Sequence, residues 1–254
     1  MPAALREIIC DLDRLLEPAA FSDYCPNGLQ VPGRPDVATV ATGVSASVEL
    51  FERAIAGGAD LILVHHGIFW GSGPAAIDDA LKARLKALFD ADVSLAAYHL
   101  PLDAHPEVGN NALIARALGA ERIEPFAEHA GRPIGCLAHL PGAGVDAGEL
   151  SASVRTLTAR DPLVFDAGPP RVRRVAIVSG AGAGHLADAV AAGADAFITG
   201  EPAERVMAQA RESAIHFIAA GHYATETLGV RRLGERLAEH FGVRHEFIDV
   251  PNPI

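Results

Sequence analysis

The sequence predicts an α/β fold made of two related α/β units with helices packed on β-sheets, and three observations lead there. Apolar runs such as Leu61 to Val64 are unbroken rather than alternating, which is the pattern of strands buried on both faces in helix-covered parallel sheets. A strand-like segment (37–44), a helix-like segment (47–57) and a second strand-like segment (60–64) follow one another in the order of a β-α-β unit. That order returns at 172–179, 185–193 and 195–199, where AAGADAFITGEP aligns with AGGADLILVHHG through a shared Gly-Ala-Asp. In this alignment His65 and His66 fall opposite Gly200 and Glu201.

The elements are legible in order. Leu5, Ile8, Ile9, Leu12, Leu15 and Leu16 lie at helical spacing over 4–16, and Pro18 closes that segment. DYCPNGLQV (23–31) reads as a tight turn running into an apolar continuation. Asn27 is expected to form that turn, with substrate contact as its other reading. VSLAAYHLPLDAH (93–105) resembles IHFIAAGHYATE (215–226) in placing a polar run after an apolar strand, and each precedes an amphipathic helix, at 110–118 and 227–241, with Gly119 and Gly242 as C-caps. Between about 121 and 170 glycine and proline rise, and short strands and loops are expected around one helix at 147–159. The expected division is an α/β domain of residues 1–120 plus 200–254 and a second, smaller α/β domain of 121–199.

Composition bounds the function. With 254 residues, 50% hydrophobic and 21% charged, the chain is an ordinary globular one. A net charge of -11 opposes broad attraction to nucleic acid phosphate, so DNA is not an expected partner. The amino-terminal MPAALREIICDLDRLL lacks the uninterrupted apolar core of a secretory signal, and no run approaches the ~20 residues of a membrane span. Three scattered cysteines argue against a disulfide framework or a thiolate zinc site, so a reduced, cytoplasmic protein is expected.

Polar residues gather where strands end. His65 and His66 close the Leu61–Val64 strand, where side chains diverge to opposite faces. A pair of histidines that merely hydrogen-bond to a loop is the other reading, and the commoner one for an isolated His-His. His222 and Glu226 are four residues apart, a metal-ligand spacing if both lie on one helical turn and also a common surface pairing. His99, Asp103 and His105 follow the strand at 93–97, and Asp103 could equally cap a turn. His129, His139 and His185 have no partner at ligand spacing and are expected at the surface or in simple hydrogen bonds. Mixed imidazole and carboxylate donors suit Zn, Mn, Fe or Co, and a carboxylate can bridge two ions. The GAGAG at 180–184 is neither a Walker nor a Rossmann loop and reads as a flexible turn.

DYCPNGLQV, LILVHHGIFW, YHLPLDAHPEVGNN, DAFITGE, AAGHYATE and the terminal FIDVPNPI closely resemble the dinuclear-metal-centre family called YbgI-like or Nif-three-like, often labelled GTP cyclohydrolase I type 2 homologues. The resemblance spans almost the whole chain and is weakest over 121–170. It implies two divalent cations held by His65, His66, Asp103, His222 and Glu226, with Glu226 bridging them. It also implies a Nif-three-like fold of two domains and a toroidal homohexamer. His99 is then a candidate for acid-base or outer-shell work, and Asn27 and Glu201 are candidates for substrate binding. The function expected is a dinuclear metal-dependent hydrolase acting on a small molecule, in the family's label a purine nucleotide, through metal-activated water. A metal-dependent phosphoesterase and a non-catalytic metal-binding scaffold or regulator are the alternatives, since resemblance does not determine substrate.

Overall fold

A computed structural model describes residues 2–71 and 76–254 and separates into two compact units, 1–102 with 229–251 and 103–228 with 252–254. These boundaries differ from the expected ones at 120 and 199. The reason lies in strand pairing: the strands at 196–199 and 216–219 hydrogen-bond into the same sheet as 174–178, so they stay with the chain that precedes them.

The first unit opens with β1 (Ala3–Ala4), α1 (Leu5–Leu16), β2 (Gly28–Val31), β3 (Asp36–Val37) and β4 (Thr39–Ser45). It continues through α2 (Val48–Ala56), β5 (Leu61–His66), α3 (Asp79–Ala91) and β6 (Ser94–Ala97). The helix Thr227–Phe241 and the strand Arg244–Phe247 complete it. Ser47 starts α2 by accepting from the Leu50 amide, as an N-cap should. β4, β5 and β6 run parallel, the strand Arg244–Phe247 adds parallel to β4, and β2 closes the other edge antiparallel to β6. Ile62, Val64 and Leu95 on the sheet pack in one core with Leu50, Phe51 and Ala54 of α2 and Leu81 and Leu88 of α3. Arg236 on the helix Thr227–Phe241 reaches Asp11 of α1 at 3.2 Å.

The second unit begins inside α4 (Leu100–Ala104), then α5 (Asn110–Ala117) leads into the hairpin β7 (Arg122–His129) and β8 (Arg132–His139). There follow β9 (Val145–Asp146), α6 (Ala147–Thr158), β10 (Leu163–Phe165), β11 (Arg171–Val172), β12 (Arg174–Val178), α7 (Leu186–Ala191), β13 (Ala196–Thr199), α8 (Val206–Glu212), β14 (His216–Ala219) and α9 (His222–Thr225). Its sheet has the order β10-β14-β13-β12-β8-β7. Alternation sends Val175, Ile177, Ile198 and Ile218 to a core with α5 and α6, and Ala176, Val178, Phe197 and Phe217 to a core with α7 and α8.

The repeat is longer than the sequence alignment indicates. From β9 to β14 the second unit repeats the order from β1 to β6, including the small antiparallel pairs β1–β3 and β9–β11 and the antiparallel edge strands β2 and β10. The shared Gly-Ala-Asp has a physical cause. Asp60 accepts from the amides of Ala38 and Thr39 at 2.8 and 3.0 Å, and Asp195 accepts from those of Arg173 and Arg174 at 2.7 and 2.9 Å. Each aspartate thus caps the start of the neighbouring parallel strand. Gly58 and Gly193, with φ of +74° and +65°, supply the left-handed turn that delivers it.

Candidate metal centre

β5 is hydrogen-bonded on both sides and continues two residues beyond Val64, so His65 and His66 belong to the strand itself, with Ser45 paired to His66. Successive residues point to opposite faces, and His65 is fully buried while His66 is half-buried. His65 Nδ1 lies 2.9 Å from the Tyr98 carbonyl, which can only accept, so Nδ1 carries the proton and Nε2 presents a lone pair. His66 Nδ1 bonds the Ser45 hydroxyl at 3.0 Å. His99 joins the pair from the end of β6, with ring centroids 5.0 Å from His65 and 5.6 Å from His66. One nitrogen from each of the three rings lies within 4.8 Å of the others.

His99 is held by a residue that sequence reasoning did not single out. Its Nδ1–H donates to Asp23 at 2.7 Å, and Asp23 also accepts from Asn27 Nδ2 at 2.8 Å and from the amides of Leu100 and Tyr24 at 3.0 and 2.6 Å. Burial opposes the charge on Asp23, yet these bonds, with His99 foremost, hold its carboxyl below the usual range. Cys25 is near Asp23 and His99, and burial and the Asp23 charge push its thiol up to about 12. Asn27 has its amide engaged at both ends, since Oδ1 accepts from the His99 amide at 2.7 Å. The left-handed backbone of this turn belongs to Gly28, at φ +97°, and not to Asn27.

In the second unit Asp103 sits in α4 rather than in an open turn, 8% exposed. Its Oδ1 accepts from Asn110 Nδ2 at 2.8 Å and from the Ser179 hydroxyl at 2.9 Å. Asn111, buried beside it, binds the Asp103 and Ile134 carbonyls and accepts from the Ser179 amide at 2.8 Å. Asn110, Asn111 and Ser179 are further residues that sequence reasoning missed. The signal was an Asn-Asn pair opening a helix whose next residues, Ala112 to Ala115, are all apolar. His105, by contrast, accepts from the amides of Glu107 and Val108 and shapes the loop.

His222 and Glu226 do not share one continuous helix. α9 ends at Thr225 and the next helix starts at Thr227, leaving Glu226 at φ -114°, ψ 5° between them. They still meet, with His222 Nε2 3.2 Å from Glu226 Oε2, while His222 Nδ1 bonds Glu201. Gly180, at φ +61°, makes room for them: a Cβ there would stand 2.3 Å from Glu226 Oε1 and 3.1 Å from His222 Nε2. Gly180 is therefore a floor for the pair, and residues 182–185 of the same glycine-rich stretch form a 3-10 turn. Burial disfavours a charged His222, but Glu226 and Glu201 outweigh it and raise its pKa to about 9. Without a cation this imidazole holds a proton between two carboxylates.

The donors fit divalent cations by their chemistry. Imidazoles with one nitrogen pinned by an acceptor, and carboxylates pinned by amide and hydroxyl donors, are the ligands and supports of Zn, Mn, Fe and Co sites. In the repeat alignment the position of His66 is taken by Glu201.

The model of the family Duf34/NIF3 (NGG1p interacting factor 3) matches residues 3–253. A Pseudomonas aeruginosa protein named GTP cyclohydrolase 1 type 2 homolog is 46% identical over 253 residues, covering 100% of both chains. One of the same name from Escherichia coli is 44% identical over 246 residues, covering 95% of this chain and 96% of that one. Among solved structures, the protein ybgI, of unknown function, superposes with a TM-score of 0.92 at 42% identity, over 99% of this chain and 100% of that one. A Thermus thermophilus protein gives 0.91 at 37%, over the same shares. Reduced HcgD from Methanocaldococcus jannaschii, at 19% identity and 0.86 over 98% and 99% of the chains, shares the fold.

Proposed function

Since the chain belongs to the Duf34/NIF3 family, we propose that it is a metal-dependent hydrolase in which His65, His66, Asp103, His222 and Glu226 hold two divalent cations, with Glu226 shared between them. The observation that carries this reading is the pinning of His65: inside a fully buried strand end the Tyr98 carbonyl accepts a hydrogen bond from Nδ1–H, which leaves the Nε2 lone pair to coordinate a cation. Held by these residues, divalent cations would lower the pKa of water toward neutrality and would polarise an electrophilic carbon or phosphorus.

The residues of the chain have separable tasks. Asp23 keeps the proton of His99 on Nδ1, so Nε2 of His99 can take a proton from water and return it to a leaving group. Ser179 and Asn110 orient the Asp103 carboxylate. Asn27 and Glu201, expected from sequence to touch substrate, are assigned support roles, because Asn27 braces Asp23 and His99 and Glu201 braces His222. The name shared by the bacterial relatives favours a purine nucleotide as substrate, opened at a C=N carbon. A closed homohexamer in the cytoplasm is part of the same reading, supported by the family resemblance and by three free thiols.

The test is elemental analysis of protein purified without added metal, followed by turnover of nucleotides and phosphoesters after metal is restored. Wild type should carry two ions per chain, Glu226→Ala should lose most of both, and His99→Ala should keep both while turnover falls about 10²-fold or more. Full occupancy in Glu226→Ala would refute the shared carboxylate. A fully loaded wild type that turns over no member of the screen would favour the scaffold reading.

A further inference from the structure

Two aromatic rings border the histidine cluster of the first unit and remain open to solvent. Trp70 is 43% exposed, with its ring centroid 5.3 Å from His99 in an edge-to-face arrangement and 5.7 Å from His66. Tyr24 is 55% exposed and lies 6.3 Å from His99, also edge-on. Neither segment is loose. The Trp70 indole N–H donates to the Gly67 carbonyl at 3.1 Å, and the Gly71 amide donates to the Tyr24 carbonyl at 2.7 Å, tying the two ring-bearing stretches together. Folding normally withdraws such rings from water, so rings fixed in place yet exposed beside a polar cluster mark a surface suited to a ligand.

We propose that Trp70 and Tyr24 form a stacking platform for a planar heteroaromatic ring of the nucleobase type, placed beside His66 and His99. The proposal rests on the hydrolase reading, which supplies a nucleotide as the ligand and brings its reacting end to the histidines. Flat aromatic side chains recognise bases through their π faces and tolerate many ring substituents. Charge points the same way. A chain with a net charge of -11 repels a polyphosphate at long range, so recognition of a nucleotide has to draw on its ring as well as on any cations.

Trp70 is the only tryptophan in the chain, so its fluorescence reports this position alone. Zinc-loaded and metal-free protein, each with measured metal content, would be titrated with guanosine, GTP, tripolyphosphate and ribose 5-phosphate. Guanosine and GTP should quench Trp70 saturably, and tripolyphosphate and ribose 5-phosphate should not. By calorimetry Trp70→Phe should retain guanosine binding, while Trp70→Ala and Tyr24→Ala should each weaken it about tenfold or more at unchanged metal content and circular dichroism. Unsaturable guanosine quenching, equal affinity in the alanine variants, or a response to tripolyphosphate alone would overturn the platform. So would emission that follows protein concentration and ignores guanosine, which would mean that a second copy covers the rings. Failure to bind zinc would count against the hydrolase reading, and the guanosine titration of the metal-free protein would still decide the platform.

Discussion

Protons and cations should compete for His222, and the competition can be measured. With its pKa raised from 6.5 to about 9 by Glu226 and Glu201 against the opposing effect of burial, roughly one metal-free chain in a hundred has a neutral His222 at pH 7. A cation that takes this nitrogen must expel the proton. The apparent dissociation constant of the cation that uses His222 should therefore fall about tenfold from pH 7 to pH 8 and level off above about 9. Manganese titrated calorimetrically at pH 7, in buffers of different ionisation enthalpy, should release about one proton from this residue. Glu201→Gln removes one of the two carboxylates, so the same dependence should move to lower pH. The stability of the metal-free chain has the matching sign. A folded pKa above the unfolded value contributes stability that is complete below about 6.5 and is lost as pH rises through about 9, so the metal-free protein should weaken on the alkaline side. An affinity that does not change between pH 7 and 8, with no buffer-dependent heat, would refute the reasoning.

Two further outcomes test the fold and the assembly. Asp60→Ala strips two strand amides of a nearly buried charged acceptor and should cost about 3 kcal/mol in urea unfolding, and the half-buried Asp195→Ala should cost less; equal wild-type stability in both would show that the repeated aspartate is ornamental. Light scattering at micromolar concentration should find a closed oligomer of six copies, and a stable monomer near 26.5 kDa would exclude it.

Much of the architecture was written in local pattern. The doubled β-α-β order, the helix at 227–241 and the C-terminal glycines of two helices could be read because an unbroken apolar run, a helical period and a left-handed glycine are short-range signals. The motifs around His65, His66, Asp103, His222 and Glu226 were legible for the same reason, as residue types at fixed spacing. Other features depend on partners far along the chain. The hairpin at 122–139 and the short strands of the second repeat are stabilised by pairing, which local composition rich in glycine and proline does not announce. The bond from Asp23 to His99 spans 76 residues, and that from Ser179 to Asp103 spans another 76. The candidate donors themselves were thus legible in the sequence. Tertiary structure alone sets which nitrogen of His65 and His99 is bonded by an acceptor, which carboxylates hold the proton of His222, and where one unit ends, because each of these depends on a hydrogen-bond partner brought from a distant segment.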